Sequence, residues 1–262
     1  MFFRHSTLSE RFELSDSVPR QLGQQAAAGE ILAGLLPLVD FLRLQDTFER
    51  IGHFGIAVRR RAGSTLLFSR KPIRQLDGAT IAVTEESSTT VCLLRLLLEQ
   101  RYEITPAVYD RVRVPPPGAG VGEGIPTPKV EGRRDLAADA DALLLIGDEA
   151  LRFQHSNTSY PYELDVAFEW WLWQHLPFVF AVWAIRKDAS AQDKRQIELG
   201  LAKSLGVNLT QLEFIAQDSS KTLGLPASEL ETYLSSFIYR LGRSEEEGIR
   251  RFKELLDGAN LL

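Results

Sequence analysis

The chain of 262 residues has few of the residues that build disulfides and metal sites. It contains one cysteine, one methionine and four histidines. A single cysteine, Cys92, excludes an internal disulfide. Its place just inside a helical apolar repeat predicts a small buried thiol. None of the histidines stands at a recognised metal-ligand spacing from another His, Cys or carboxylate, so we expect no metal site.

Long hydrophobic runs and concentrated positive charge are also missing. No stretch approaches the about 20 apolar residues of a membrane span. The opening MFFRHSTLSERFEL has neither the apolar core nor the cleavage site of a secretory signal. The net charge is −5, which argues against a nucleic-acid partner. We therefore expect a cytoplasmic protein that binds neither nucleic acid nor membrane.

Common catalytic and nucleotide-binding motifs are absent as well. The sequence has no G-x-S-x-G elbow, no P-loop and no zincin helix. The glycine-rich GAGVGEG follows a proline run rather than a strand, and Glu123 stands where a third glycine is required. We reject a dinucleotide site here. The surrounding Pro/Gly-rich segment 111–135 is predicted to be a loop or an insertion.

The most informative stretch that is present runs from Ala79 to Arg101. Thr80–Val83 is typical of a buried parallel strand, and Val91, Leu94, Leu97 and Leu98 repeat at helical spacing. Between the two lie four hydroxyl residues: Ser87, Ser88, Thr89 and Thr90. Hydroxyls at a helix N-terminus indicate either an ordinary N-cap or a site for a carboxylate or phosphate. Four in a row exceed what a cap needs.

The rest of the chain alternates short apolar runs with helical patterns, which predicts an α/β protein with parallel sheets. Strands are expected at 31–36, 51–58, 64–69, 143–146 and 176–185, the last being the strongest central-strand signal. Gly147 and Asp148 follow the fourth of these strands. For Asp148, the interpretation as a helix cap is preferred to that of a ligand contact. The aromatic cluster FEWWLW (168–173) predicts a core helix.

A purely helical tail is predicted from Ala191 onward. Its signals are an apolar stripe and a capping box of Ser244 with Glu247. The stripe consists of Leu230, Leu234, Phe237 and Leu241. These closing helices are interpreted as structural.

After these exclusions, the groups that could take part in chemistry are hydroxyls at strand ends. They belong to Ser64, Ser87, Ser88, Thr89 and Thr90. They suit a protein that binds a small acid and acts by positioning and electrostatics. His175 lies among aromatic residues, where a packing role is favoured over a catalytic base.

Several segments together resemble the MqnA/MqnD family of the futalosine menaquinone pathway, and its chorismate dehydratase branch in particular. The matching stretches are GEILAGLLPLVDFL (29–42), GIAVRRRAGSTLLFSRKPIRQLDG (55–78), TEESSTTVCLLRLLL (84–98), DALLLIGDEALR (141–152), LPFVFAVWAIRKD (176–188) and LETYLSSFIYRLG (230–242). The resemblance implies a periplasmic-binding-protein-like fold of type II, with two α/β lobes around a ligand cleft. Lobe I is then expected at 1–74 and 184–262 and lobe II at 75–183. The chain is expected to cross near Pro72–Gly78 and to return in a strand at Phe178–Ala184.

The resemblance also implies a reaction, a carbon–oxygen lyase step without metal or redox cofactor. Chorismate loses water to give 3-[(1-carboxyvinyl)oxy]benzoate, and the substrate is a small dicarboxylate. Carried over by position, Ser64 is the expected catalytic and substrate-binding serine, and Thr89 and Thr90 match the family's hydroxyl pair. Ser88, Gly147 and Asp148 complete the expected substrate-binding set.

Two alternatives and one departure accompany this resemblance. The alternatives are a non-catalytic small-carboxylate-binding protein of the same fold and a 1,4-dihydroxy-6-naphthoate synthase-like enzyme. The latter requires a cleft histidine, for which His53 and His175 are candidates. Family members also open with a strand and an Asn-bearing loop that precede the part matched from Met1. We expect this segment either upstream of Met1 or absent from a divergent homologue.

Overall fold

The computed structural model describes residues 7–84, 87–106, 108–112 and 140–262. Of the predicted loop 111–135, only Arg111 and Val112 are among them, and both belong to a strand. The remainder of that segment, the glycine-rich GAGVGEG, the acidic pair Glu85–Glu86 and His5 lie outside the described residues.

The first sheet has four strands in the order β1–β8–β2–β9, and every neighbouring pair is antiparallel. The strands are β1 (Ala33–Pro37), β2 (Phe48–Val58), β8 (Phe178–Arg186) and β9 (Phe237–Arg240). The central position of β8 confirms the prediction from the run 176–185. The prediction of parallel pairing is wrong for this sheet. Strand β8 arrives from the other sheet and runs opposite to both β1 and β2.

The second sheet has five strands in the order β5–β4–β6–β3–β7. They are β3 (Thr65–Ser69), β4 (Thr80–Thr84), β5 (Val108–Val112), β6 (Ala142–Ile146) and β7 (Tyr162–Asp165). Strand β4 pairs in parallel with β5 and β6, which confirms the predicted parallel strand. Strand β3 is antiparallel to β6 and β7. The sheet is therefore mixed, and the parallel prediction holds only for its β4 pairs.

The chain passes between the two sheets in short connections. It leaves the first sheet after Val58 and enters the second at Thr65, earlier than the expected crossing near Pro72–Gly78. It re-enters the first sheet at Phe178, where the return was expected. The division into lobes at 1–74, 75–183 and 184–262 stays a prediction.

Helices cover both sheets. They are α1 (Pro19–Ala27), α2 (Leu38–Arg43), α3 (Thr89–Leu96), α4 (Gly147–Ser156), α5 (Val166–Gln174), α6 (Ala191–Leu209), α7 (Leu212–Leu223), α8 (Ala227–Ser235) and α9 (Arg243–Gly258). In α5, Trp170 is fully buried, and its ring lies edge-on to Phe178 and Phe252. The core prediction for this cluster thus holds for Trp170, whereas Phe168, Trp171 and Trp173 are half-buried and Leu172 is exposed. Cys92 is a buried thiol, as predicted.

The C-terminal part departs from the purely helical prediction in two places. Helix α8 ends at Ser235, and Phe237 lies in strand β9 rather than on a continuing apolar stripe. Pairing with β2 decides this, because a four-residue segment can satisfy its backbone along a sheet edge. The predicted capping box of Ser244 and Glu247 is also wrong. Helix α9 is capped two residues earlier, where the Gly242 N–H donates to Glu245.

Helices α7 and α8 (212–235) form a hairpin that we call the strap. It packs on α4 through an apolar cluster of Leu151, Ala216, Leu225 and Leu230. His155 Nε2 of α4 lies 2.9 Å from Glu229 of α8. Because α8 leads directly into β9, the strap joins the second sheet to the first. None of the helices in the described part of the chain combines the length and apolar character that crossing a bilayer requires.

Candidate functional site

Ser64 lies directly before β3, at the edge of the second sheet where β6 ends. Its side chain is buried, and its carbonyl accepts from the Gly147 N–H at 2.7 Å. Its hydroxyl lies 2.8 Å from the phenol oxygen of Tyr233 in the strap. Parallel strands β4 and β6 also end at this edge. We call the edge formed by Ser64, Ser87–Thr90 and Gly147 the site edge.

The segment that leads to Ser64 is held by one buried carboxylate, that of Asp165. It accepts from the N–H groups of Ala62 and Gly63 at 2.9 and 2.8 Å. Its other oxygen accepts from Phe168 N at 3.0 Å and caps α5. Burial raises the pKa of Asp165, and the backbone N–H donors oppose that shift. Asp165 is not among the site residues predicted from the sequence, although an acid three positions before Phe168 is an N-cap signal.

Three hydroxyls of the turn before α3 have protein partners. Ser87 accepts from the Thr90 N–H at 3.0 Å, a hydrogen bond to the first turn of α3 from one residue before the cap position at Ser88. Ser88 donates to Asp40 at 2.8 Å, and Thr89 accepts from the Val39 N–H at 3.1 Å. The latter two contacts reach α2, so these hydroxyls connect α3 with a helix beside the first sheet.

Helix α2 also gains from this contact. The Val39 N–H is one of the backbone donors that a helix N-terminus leaves without an internal partner. Thr89 satisfies it from outside the helix. Burial raises the pKa of Asp40, with the Ser88 hydrogen bond and the cations of Arg43 and Arg20 opposing.

Thr90 differs from its three neighbours. Its side chain is buried, with 2% of the residue exposed, and its hydroxyl has no hydrogen-bond partner among the described residues. The substrate-binding role of Thr90 stays a prediction.

Gly147 and Asp148 begin helix α4. Gly147 has φ +57°, in the left-handed region that favours glycine, and its N–H is already bonded to Ser64. The predicted capping role of Asp148 is wrong. The cap position is Ile146, and Asp148 stands inside the first turn. Its charge instead acts on Tyr233, whose phenol pKa it helps to raise after the larger effect of burial.

The described histidines lie elsewhere. His53 is exposed with Nδ1 3.8 Å from Glu246, His155 pairs with Glu229, and His175 ends α5 in a left-handed conformation. In the described residues, His, Cys, Asp and Glu side chains form no group of three or more that could hold a metal ion.

Thr65, the neighbour of Ser64, provides a stability test of the site edge. Its hydroxyl is buried and has no partner among the described residues. Thr65→Val should raise the free energy of unfolding by about 1 kcal/mol, because it removes an unpaired buried polar group at nearly constant volume. Urea denaturation checks this. An unchanged or lower midpoint would show that the hydroxyl is satisfied in solution.

Comparison with solved structures places the fold. A protein of Archaeoglobus fulgidus is similar with a TM-score of 0.69 at 18% identity, covering 95% of this chain and 86% of that one. The alkanesulfonate-binding protein of Xanthomonas axonopodis pv. citri, bound to MOPS, gives a TM-score of 0.60 at 16% identity over 94% and 81% of the two chains. The chain is thus an α/β protein of the periplasmic-binding-protein-like fold.

Sequence comparison gives the family. The model described as menaquinone biosynthesis matches residues 1–121 and 122–257. The chain belongs to this menaquinone biosynthesis family. A chorismate dehydratase of Thermus thermophilus is 29% identical over 266 aligned positions, which cover 96% of this chain and 89% of that protein.

Proposed function

We propose that this protein is a chorismate dehydratase, a lyase that converts chorismate to 3-[(1-carboxyvinyl)oxy]benzoate in menaquinone biosynthesis. The observation that carries the proposal is similarity to a chorismate dehydratase over 96% of the chain, within a menaquinone biosynthesis family. The buried hydroxyls of the site edge are consistent with a small dicarboxylate substrate.

The reaction removes a ring hydroxyl and a ring proton as water, and the ring becomes aromatic. A protein assists by orienting both carboxylates and by donating a hydrogen bond to the departing hydroxyl. Ser64 and Thr90 are assigned these donor roles. The N-termini of α3 and α4 at the same edge add positive potential, which favours a carboxylate there.

Hydrogen-bond directions refine the predicted substrate-binding set. Thr89 accepts from Val39, so its own O–H stays available for donation to a substrate oxygen. Ser88 donates its only proton to Asp40 and can therefore only accept from a ligand. Among these hydroxyls, Ser64, Thr89 and Thr90 suit a carboxylate, and Ser88 does not.

Thr90→Val separates ligand binding from folding better than Thr89→Val, because valine at position 89 also leaves the Val39 N–H unsatisfied. We expect Thr90→Val to raise KM for chorismate about 10-fold with little change in thermal midpoint. Steady-state kinetics and a thermal melt measure the two effects. An unchanged KM would remove Thr90 from the site.

Mass spectrometry of the protein incubated with chorismate tests the function directly. We expect loss of chorismate and appearance of a product lighter by one water. Unchanged chorismate with a natively folded protein, verified by circular dichroism, would contradict the proposal. Tight chorismate binding without turnover would instead establish a small-carboxylate-binding protein of the same fold.

A further inference from the structure

Tyr233 contacts the site edge from a distant part of the chain. Its phenol oxygen lies 2.8 Å from Ser64 Oγ, across a separation of 169 residues. Its ring packs against the apolar cluster between strap and α4 and lies edge-on to Phe237 at 5.0 Å. The phenol is therefore held by packing on several sides, and its position does not depend on the hydrogen bond alone.

By geometry, either hydroxyl of the Tyr233–Ser64 pair can be the donor. Burial raises the pKa of the phenol, the hydrogen bond with Ser64 opposes that rise as the second-largest effect, and the smaller effect of the Asp148 charge raises the pKa. The phenol therefore stays protonated at neutral pH. A phenol is also the more acidic of the two hydroxyls and hence the better donor. With Tyr233 donating, Ser64 Oγ accepts and keeps its own proton for another acceptor.

We propose that Tyr233 is a positioning residue of the site, whose phenol donates to Ser64 Oγ and directs the Ser64 hydroxyl proton toward an oxygen of the bound dicarboxylate. The donated bond also polarises the Ser64 O–H, since linked hydrogen bonds strengthen one another. The inference rests on the proposed function. It adds the strap as a third structural element of the site, beside the start of β3 next to Ser64 and the start of α3 at Thr90.

A double-mutant cycle tests this role. Tyr233→Phe, Ser64→Ala and the double variant are compared by kcat and KM with chorismate. Tyr233→Phe should lower kcat/KM by about 10-fold. The double variant should be no slower than Ser64→Ala alone, because the phenol acts only through Ser64. A merely structural phenol would give losses that multiply and follow the fall in thermal midpoint.

Tyr239→Phe is the matched control. Its phenol donates to the backbone oxygen of Leu234 at 3.0 Å. The variant therefore removes the same phenol oxygen from a nearby tyrosine whose recorded partner is not Ser64. Its kcat/KM should stay within about twofold of wild type.

Full activity of Tyr233→Phe, or multiplying losses in the cycle, would overturn the positioning role while the function stands. A wild-type chain that binds chorismate without turnover refutes the lyase function, and the cycle is then read in the dissociation constant. A wild-type chain that neither converts nor binds chorismate overturns both.

Discussion

Ser64→Ala is expected to lower kcat/KM for chorismate by about 10- to 100-fold, because the variant removes one hydrogen bond to a charged or leaving oxygen. The Ser64 hydroxyl lies 2.8 Å from the Tyr233 phenol oxygen, and Ser64 stands directly before β3 at the site edge. Alanine also leaves the buried phenol without that partner. We therefore expect a moderate loss of stability of about 1 kcal/mol beside the larger loss of activity. Kinetics and urea denaturation of the same preparation separate the two.

Ser69→Ala provides the control at the opposite end of the same strand. Ser69 is equally buried, and its hydroxyl donates to the Lys71 carbonyl at 2.6 Å and accepts from the Lys71 N–H at 3.1 Å. Its replacement should cost similar stability and leave kcat/KM within about twofold of wild type. Equal activity of the two variants would show that Ser64 does not contact the substrate.

Asp165→Ala is expected to reduce the free energy of unfolding by about 3 to 5 kcal/mol, the largest stability effect that we predict. The carboxylate accepts from the N–H groups of Ala62, Gly63 and Phe168. Alanine removes the cap of α5 and leaves the N–H groups of the buried Ala62 and the half-buried Gly63, directly before Ser64, without this acceptor. We therefore expect activity to fall as well, since Ser64 loses the support of the preceding segment. Denaturant unfolding and kinetics measure both.

Two further variants, Asp165→Asn and Ser190→Ala, serve as comparisons for the stability loss of Asp165→Ala. The asparagine keeps one acceptor oxygen and buries no charge. Burial of the charge is what raises the pKa of Asp165. The asparagine variant should lose less stability than the alanine variant. Ser190 caps α6 by accepting from the Asp193 N–H at 3.0 Å, but at an exposed site. Its alanine variant should cost only about 1 kcal/mol. An Asp165→Ala variant no less stable than Ser190→Ala would contradict the anchoring role.

The raised pKa of Asp165 makes the stability of the fold depend on pH. Its pKa in the folded protein is raised above the usual value of 3.8, so the folded state binds this proton more tightly than the unfolded state. The tighter binding of this proton stabilises the folded state at low pH. That stabilisation is lost as the pH rises through the pKa of Asp165 in the folded protein. At neutral pH the buried charge thus opposes folding, while its hydrogen bonds to the backbone stabilise the fold.

Local patterns in the sequence determined the elements on which the site is built. The β-branched run Thr80–Val83 and the leucine repeat after Thr90 define strand β4 and helix α3, because burial of one face requires that periodicity. The run 176–185 gave a central strand for the same reason. Ser64 was singled out as a hydroxyl at a strand end, and its expected catalytic role came from the resemblance to a family. The structure places it beside the end of β6, the strand that pairs with β4.

Tertiary structure alone decided how these elements meet. Strand direction in the first sheet, the β9 segment and the Asp148 environment depend on partners far along the chain. The contacts that support Ser64 join residues 103 and 169 positions apart, through Asp165 and Tyr233. The Thr89 contact with Val39 spans 50 positions. A periodicity reports only which face of a segment is buried, whereas hydrogen bonds between distant segments depend on the folded arrangement of both.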